Sequence, residues 1–392
     1  MDNSIRPMKS LFVSPWYPTA FDPVAGVFVR EHAKAVALYD EVVVLHLATA
    51  REGVGGPWAL HREADPGLTE GLTTYRMWCG RWPLTNTAAF VSTLGLLRAF
   101  RHIVAEGFRP DIIHANVHSV ALPSVLIGTL SRVPVVITEH SSAFPQRLLT
   151  ARDVWRARAA FAGADVVMPV SEALRRGIEA YGIRASFVCI PNVVNTTLFY
   201  PDARRPGDGQ VRRLLFVGLM PASHVKGFPH LLRALRRLED QWSEWRLDVV
   251  GDGPARLEYE AAAAALGLAD KITFHGIQPK AVVAGLMRCA DVFLLPSLWE
   301  NLPCVLIEAV ASGLPIVATR VGGIPEIVDE SVGVLVPPGD AEALTNAILS
   351  VIESLDEFDR SEIASRAARY SPETVGRAIH EVYEACVHKG RA

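Results

Sequence analysis

Short apolar runs alternate with longer stretches of helical periodicity along most of this chain. In the first half the pattern predicts strands at 10–14, 42–47, 112–114, 134–138, 166–170 and 187–190. Helices at about 27–38, 87–106, 118–130, 151–162 and 172–180 separate most of them. A second series follows, with strands at 213–217, 246–250, 272–274, 292–295 and 315–318. Alternating strands and helices of this kind belong to α/β structure with doubly wound sheets. Between the two series, Tyr200-Pro-Asp-Ala-Arg-Arg-Pro-Gly-Asp-Gly-Gln210 is a stretch of pure turn chemistry and reads as an interdomain linker. The expected organisation is therefore an α/β protein of two Rossmann-like domains facing across a cleft. The first spans 1–200, the linker 201–211 and the second 212–370.

Composition narrows the class without naming a chemistry. The 392 residues suit about two domains, and 50% hydrophobic with 21% charged describes a globular protein with ample core. No apolar run reaches the roughly 18–20 residues of a membrane span, and the first ten residues do not read as a cleavable signal. Five scattered cysteines without paired spacing point to a reducing cytoplasm and away from zinc. The formal charge of −3 divides into +3 for residues 1–200 and −6 for the rest. That bias is too weak for a nucleic-acid footprint, though it suits an anionic partner for the first half.

The candidate chemistry centres on Pro296-Ser-Leu-Trp-Glu300-Asn-Leu-Pro-Cys-Val-Leu-Ile-Glu308, which follows the apolar run Val292–Leu295. A strand–loop–helix–strand unit puts Glu300 beyond the carboxyl end of a parallel strand, where α/β sheets bind their ligands. Were the helix to cover the whole interval, Glu308 would lie about 80° around it and about 12 Å along it from Glu300. Carboxylates that share one bond-breaking event sit roughly 5–10 Å apart, so two grips on one long ligand fit better. Cys304 lies in the same loop and reads as a small packing residue.

Other strand ends carry weaker signals. Leu214-Leu-Phe-Val-Gly218 runs through a loop to His224-Val-Lys226-Gly227, ahead of a helix near Pro229. A lysine at a helix N-terminus makes a phosphate site or, more blandly, a solvated surface residue. Val249-Val-Gly-Asp-Gly-Pro254, Phe274-His-Gly276-Ile277 and Val321-Gly-Gly-Ile-Pro-Glu326 are further turns where backbone could face a flat ligand. In the first half, Gly26 ends a long loop at a helix start, and His114 and His140 each end a strand. A lone strand-end histidine is more often structural than catalytic, but the shared position at carboxyl strand ends favours a role, for His140 more than for His114. No D-x-D element and no cluster of ligand spacing suggests a metal.

Assembled in this order, the motifs resemble the family 4 retaining glycosyltransferases, whose GT-B fold has two facing Rossmann-like domains. The match is strongest over Leu214–Gly339, and Ile190-Pro-Asn192-Val-Val-Asn195 is similar to the family's segment before the linker. The resemblance implies that Glu308 binds the ribose of a nucleotide-sugar donor and Glu300 holds hydroxyls of the transferred sugar. Lys226 would bind the diphosphate, next to Gly218. Backbone amides at Asn301, Leu302 and Cys304 would cradle sugar and phosphate, and Gly276-Ile277 would face the base. His140 and the Gly26 loop would close over the sugar from the first domain. Helix 371–392 would cross back to that domain. No cofactor or metal is implied. One departure stands out: the family's Gly-Arg-Leu is Gly218-Leu219-Met220 here, which removes an arginine from the diphosphate and leaves His224 as a neighbouring replacement.

On the acceptor side, Arg76-Met-Trp78-Cys-Gly-Arg81-Trp82 and Arg147–Arg158 around Trp155 interleave aromatic and basic residues. They read either as packing with a solvated helix face or as docking at the inner face of a membrane to reach a lipid-linked acceptor. The expected function is transfer of a sugar from a nucleotide-diphosphate sugar to a glycan or lipid-linked acceptor, in bacterial surface polysaccharide or glycolipid synthesis. A nucleotide-sugar epimerase of the same fold and a non-catalytic binding or scaffold protein are the rivals.

Overall fold

The computed structural model describes residues 7–49, 58–79, 88–202 and 211–391. The chain forms two compact units, one of residues 1–193 with 372–392 and the other of residues 194–371. This division falls before the expected boundary at 200. Val194 N–H donates to Tyr370 O at 2.9 Å, and Leu198 O accepts from Arg288, so these residues are bonded into the second unit. Residues 203–210 of the expected linker lie outside the described residues, as do Arg81 and Trp82.

The first unit begins β1 (Lys9–Ser14), α1 (Val27–Val36), β2 (Glu41–Thr49), β3 (Trp58–Arg62), α2 (Pro66–Thr69) and β4 (Thr73–Cys79). It continues with α3 (Ala88–Ala105), β5 (Ile112–Asn116), α4 (His118–Ser131), β6 (Val135–Glu139), α5 (Ala151–Gly163), β7 (Val166–Pro169) and α6 (Glu172–Glu179). Its sheet has the order β3-β4-β2-β1-β5-β6-β7, parallel except where β3 runs against β4. Strands β5 and β6 are buried at every position, although β5 carries His114 and Asn116 and β6 carries Thr138 and Glu139.

The second unit contains β8 (Arg212–Val217), α7 (Phe228–Gln241), β9 (Trp245–Val250), α8 (Arg256–Ala265), β10 (Ile272–Gly276), α9 (Lys280–Cys289) and β11 (Val292–Leu295). Then come α10 (Cys304–Ala311), β12 (Ile316–Thr319), β13 (Gly333–Val336), α11 (Ala341–Glu353) and α12 (Arg360–Ser365). The sheet order β10-β9-β8-β11-β12-β13 is all parallel and reverses direction between β8 and β11. Such a reversal opens a crevice at the carboxyl strand ends. Leu214, Phe216, Leu231, Leu235, Val249 and Ile348 belong to the core beneath it.

The last helix, α13 (Pro372–Arg391), packs on α1 within the first unit. Val375, Ile379 and Tyr383 share a core with Val29, Ala33 and Val36. Polar bonds fix its register: Tyr383 hydroxyl to His114 Nδ1 at 2.6 Å, and His380 Nδ1 to Asp40 at 3.0 Å.

Several elements differ from the sequence reading, which also foresaw neither β3 nor α2. The run 187–190 forms no strand, only a single bridge from Phe187 to Val167. Strand β4 was unforeseen because Arg76 interrupts it, yet Arg76 is buried through bonds to Glu63, His46 Nδ1 and Pro18 O. Strand β13 is four residues long, and its edge position hides it among turns.

Candidate active site

At the reversal between β8 and β11, two loops are forced together. Gly227 caps α7 with φ 68°, and a Cβ there would stand 1.8 Å from Pro296 O. Only glycine allows this approach. Leu298 N–H then donates to Val225 O at 2.8 Å, locking the loop after β8 to the exit of β11. Lys226 is carried over Gly218, with its Cγ 3.8 Å from where a Cβ would stand on that glycine. Its Nζ meets Glu300 Oε1 at 2.6 Å, and the Ser297 hydroxyl donates to the same oxygen at 2.8 Å.

Glu300 is 7% exposed, so the ion pair is largely withdrawn from water. A desolvated carboxylate is stable only when paired and hydrogen-bonded, as here. Helix α10 starts only at Cys304, so Glu300 sits in the preceding turn with Asn301 and Leu302. The helical spacing drawn between Glu300 and Glu308 therefore does not apply. Glu308 lies inside α10, 6% exposed, and its Oε1 pairs with Lys280 Nζ at 3.0 Å. Lys280 opens α9, four residues beyond Gly276, whose φ is 69°; Ile277 is exposed.

His224, the neighbouring replacement for the absent arginine, has its imidazole engaged by α8. Its Nδ1 bonds the Tyr259 hydroxyl at 2.8 Å and its Nε2 lies 3.8 Å from Glu258, so the imidazole is directed at α8. Cys304 is part-buried.

In the first unit, Gly26 caps α1 with φ 62°, and a Cβ there would fall 2.3 Å from the Trp16 carbonyl carbon. His140 follows β6, packed 4.5 Å from Phe28 and 5.4 Å from His32 between ring centroids. Burial, then the nearby His32 and His114, push its imidazole well below the usual histidine range. His114 is fully enclosed, held by Tyr383 and Thr138, and is structural. Buried Glu139 accepts from the backbone N–H of His118, His140 and Ser141, fixing the loop that carries His140.

Two family models match, Glycosyltransferase Family 4 over residues 41–198 and Glycosyl transferases group 1 over residues 211–354. The chain belongs to the family 4, group 1 glycosyltransferases. It is 27% identical over 421 residues to the 2-deoxystreptamine N-acetyl-D-glucosaminyltransferase of Streptomyces fradiae, covering 97% of this chain and 94% of that protein. It is 26% identical over 259 residues to the amylovoran biosynthesis glycosyltransferase AmsK of Erwinia amylovora, covering 64% of this chain and 60% of that protein. In fold it is similar to Anabaena HepE, solved in complex with UDP and glucose, with a TM-score of 0.74 at 20% identity over 96% of this chain and 100% of that one.

In this glycosyltransferase the position of the family's arginine is Leu219, half-exposed. The nearby Arg256 is engaged by Asp252, Glu260 and Phe274 O. Two partners escaped the sequence reading. Ser297 lay inside the quoted motif but carried no distinguishing spacing. Lys280 is a lone charge after a turn, and only the tertiary structure shows its bond to Glu308. Among the described residues no helix is long and apolar enough to cross a membrane.

Proposed function

We propose that this glycosyltransferase is a metal-independent, retaining enzyme that moves a sugar from a nucleotide-diphosphate sugar to a glycan or lipid-linked acceptor in surface polysaccharide or glycolipid assembly. The observation that carries the reading is the Lys226–Glu300 pair at the reversal of the second sheet. Lys226, ahead of the N-terminus of α7, suits the diphosphate, whose charge grows as it leaves. Glu300 suits hydroxyls of the transferred sugar, and Glu308 with Lys280 suits the ribose. The amides of Asn301, Leu302 and Cys304 suit phosphate and sugar oxygens, and Gly276-Ile277 the base. His140, kept neutral by burial, suits an uncharged hydrogen bond to the transferred sugar. Retention would follow from attack on the face the phosphate leaves, with the leaving phosphate guiding the acceptor hydroxyl and no enzymic nucleophile.

The surface polysaccharide setting is supported by the name of AmsK, a protein of amylovoran biosynthesis. Exposed Arg147, Leu148, Arg152 and Trp155 near the start of α5 support peripheral contact with an anionic membrane. Vesicles of anionic lipid at low salt should sediment the protein, and failure to do so removes that contact.

The deciding experiment pairs thermal-shift screening against UDP-, GDP- and ADP-sugars with an assay of nucleoside diphosphate release. Stabilisation by a nucleotide-sugar is expected, because ligand binding shifts unfolding by mass action. Release that depends on acceptor supports transfer. Interconversion of the sugar without acceptor would mark an epimerase, and no binding at all would mark a scaffold.

A further inference from the structure

The parallel strands β1, β2 and β4 end at an open pocket of about 190 Å³ in the first unit. Trp16, Tyr17, Phe21, His46 and Trp78 line it, with Asp22 among them. The pocket exists because of Arg76, the residue first read as part of a basic surface. Its buried guanidinium donates to Pro18 O at 2.7 Å and meets His46 Nδ1 at 2.9 Å, holding the loop after β1 against β2 and β4. Gly26 lets the far end of the same loop close on Trp16.

Aromatic surface is left in water as a result: Trp16 is 39% exposed and Phe21 69%. Such rings at the carboxyl ends of a parallel sheet mark a ligand platform more readily than a core defect. The platform is continuous with His140, since Trp16 packs edge-on to Phe28 at 6.1 Å and Phe28 packs on His140 at 4.5 Å.

The chemistry of the lining selects the occupant. Among the described residues its lining contains no lysine or arginine, and its one ionic group is a carboxylate, which suits a neutral sugar better than a phosphate or an anionic headgroup. Aromatic faces carry a negative quadrupole that attracts the weakly positive C–H face of a pyranose. Asp22 and Thr19 can take hydroxyls at the ring edge. We infer that this pocket holds a sugar ring of the acceptor, stacked on Trp16, Phe21 and Trp78, so that the acceptor is a glycan engaged through its sugar. The inference rests on reading the chain as a transferase with a saccharide-bearing acceptor.

Saturation-transfer NMR tests it on the intact protein, with a panel of methyl pyranosides and disaccharides as probes and irradiation of aromatic protons. At least one probe should receive saturation on the C–H protons of one ring face. Phe21→Ala, a change at an exposed position that should leave folding intact, should weaken that binding by about tenfold, the upper range of one aromatic contact. Trp16→Ala should do the same. No transfer to any probe, or transfer undiminished in both variants, overturns the inference. Thermal shift with nucleotide-sugars on the same samples keeps the two readings apart: donor stabilisation without saccharide binding sinks the pocket alone.

Discussion

Lys226 Nζ and Glu300 Oε1 lie 2.6 Å apart although 74 residues separate them, and the approach depends on a glycine between the lysine and its helix. Each member holds the other's charge in a site that water reaches poorly. Removing either leaves the partner unpaired as well as removing its proposed contact to the donor. Lys226→Ala and Glu300→Gln should each lower kcat by about a hundredfold or more, the range seen when one transition-state contact is lost. Steady-state kinetics with the donor found by screening checks this. Activity within a few-fold of wild type in both variants would refute the proposed site.

Lys280 and Glu308 form a second pair, more open on the lysine side. If this pair grips the ribose, its contacts are alike in ground and transition states. Lys280→Ala should then raise the donor KM by about tenfold with kcat little changed, because uniform binding acts on KM. Lys280→Arg should restore part of the loss. A fall in kcat at constant KM would assign the lysine another role.

Gly227→Ala tests the loop approach without touching a charged group. The added methyl meets Pro296 O at 1.8 Å and imposes a strained φ, so the loops must separate. A destabilisation on the order of 2–4 kcal/mol is expected, with lost activity from misplacement of Lys226. Chemical denaturation monitored by circular dichroism gives the value. A stability equal to wild type would show that the loop relaxes freely.

Stability should fall on acidification. Burial lowers His32 to about 4, and burial with the adjacent Arg76 lowers His46 to about 4. Both are neutral in the folded protein at pH 5 while an unfolded chain, with histidine near 6.5, binds the protons. The unfolded state therefore gains protons between pH 6.5 and 4, and each group removes up to about 1.4 kcal/mol per pH unit across that window. Calorimetry should find Tm flat above about pH 7 and dropping below 6.5. A Tm constant from pH 7 to 5 would contradict this.

Much of the architecture was legible because parallel strands covered on both faces leave unbroken apolar runs. Val292–Leu295 announces itself on that ground. The spacing of Glu300 and Glu308 and the ordered glycine turns likewise point to the family from sequence. Strand β4 was hidden because a buried arginine looks exposed until Glu63, His46 and Pro18 are seen around it.

The sequence by itself determined the α/β class, the strand ends and the family, all of which depend on local pattern and the order of motifs. Pairings between distant residues were decided only by tertiary structure: Glu300 with Lys226, Glu308 with Lys280, His224 turned to Tyr259, and Trp78 brought to the same pocket as Trp16. Loop approach and side-chain direction depend on packing between segments far apart in the chain, and no periodicity records that.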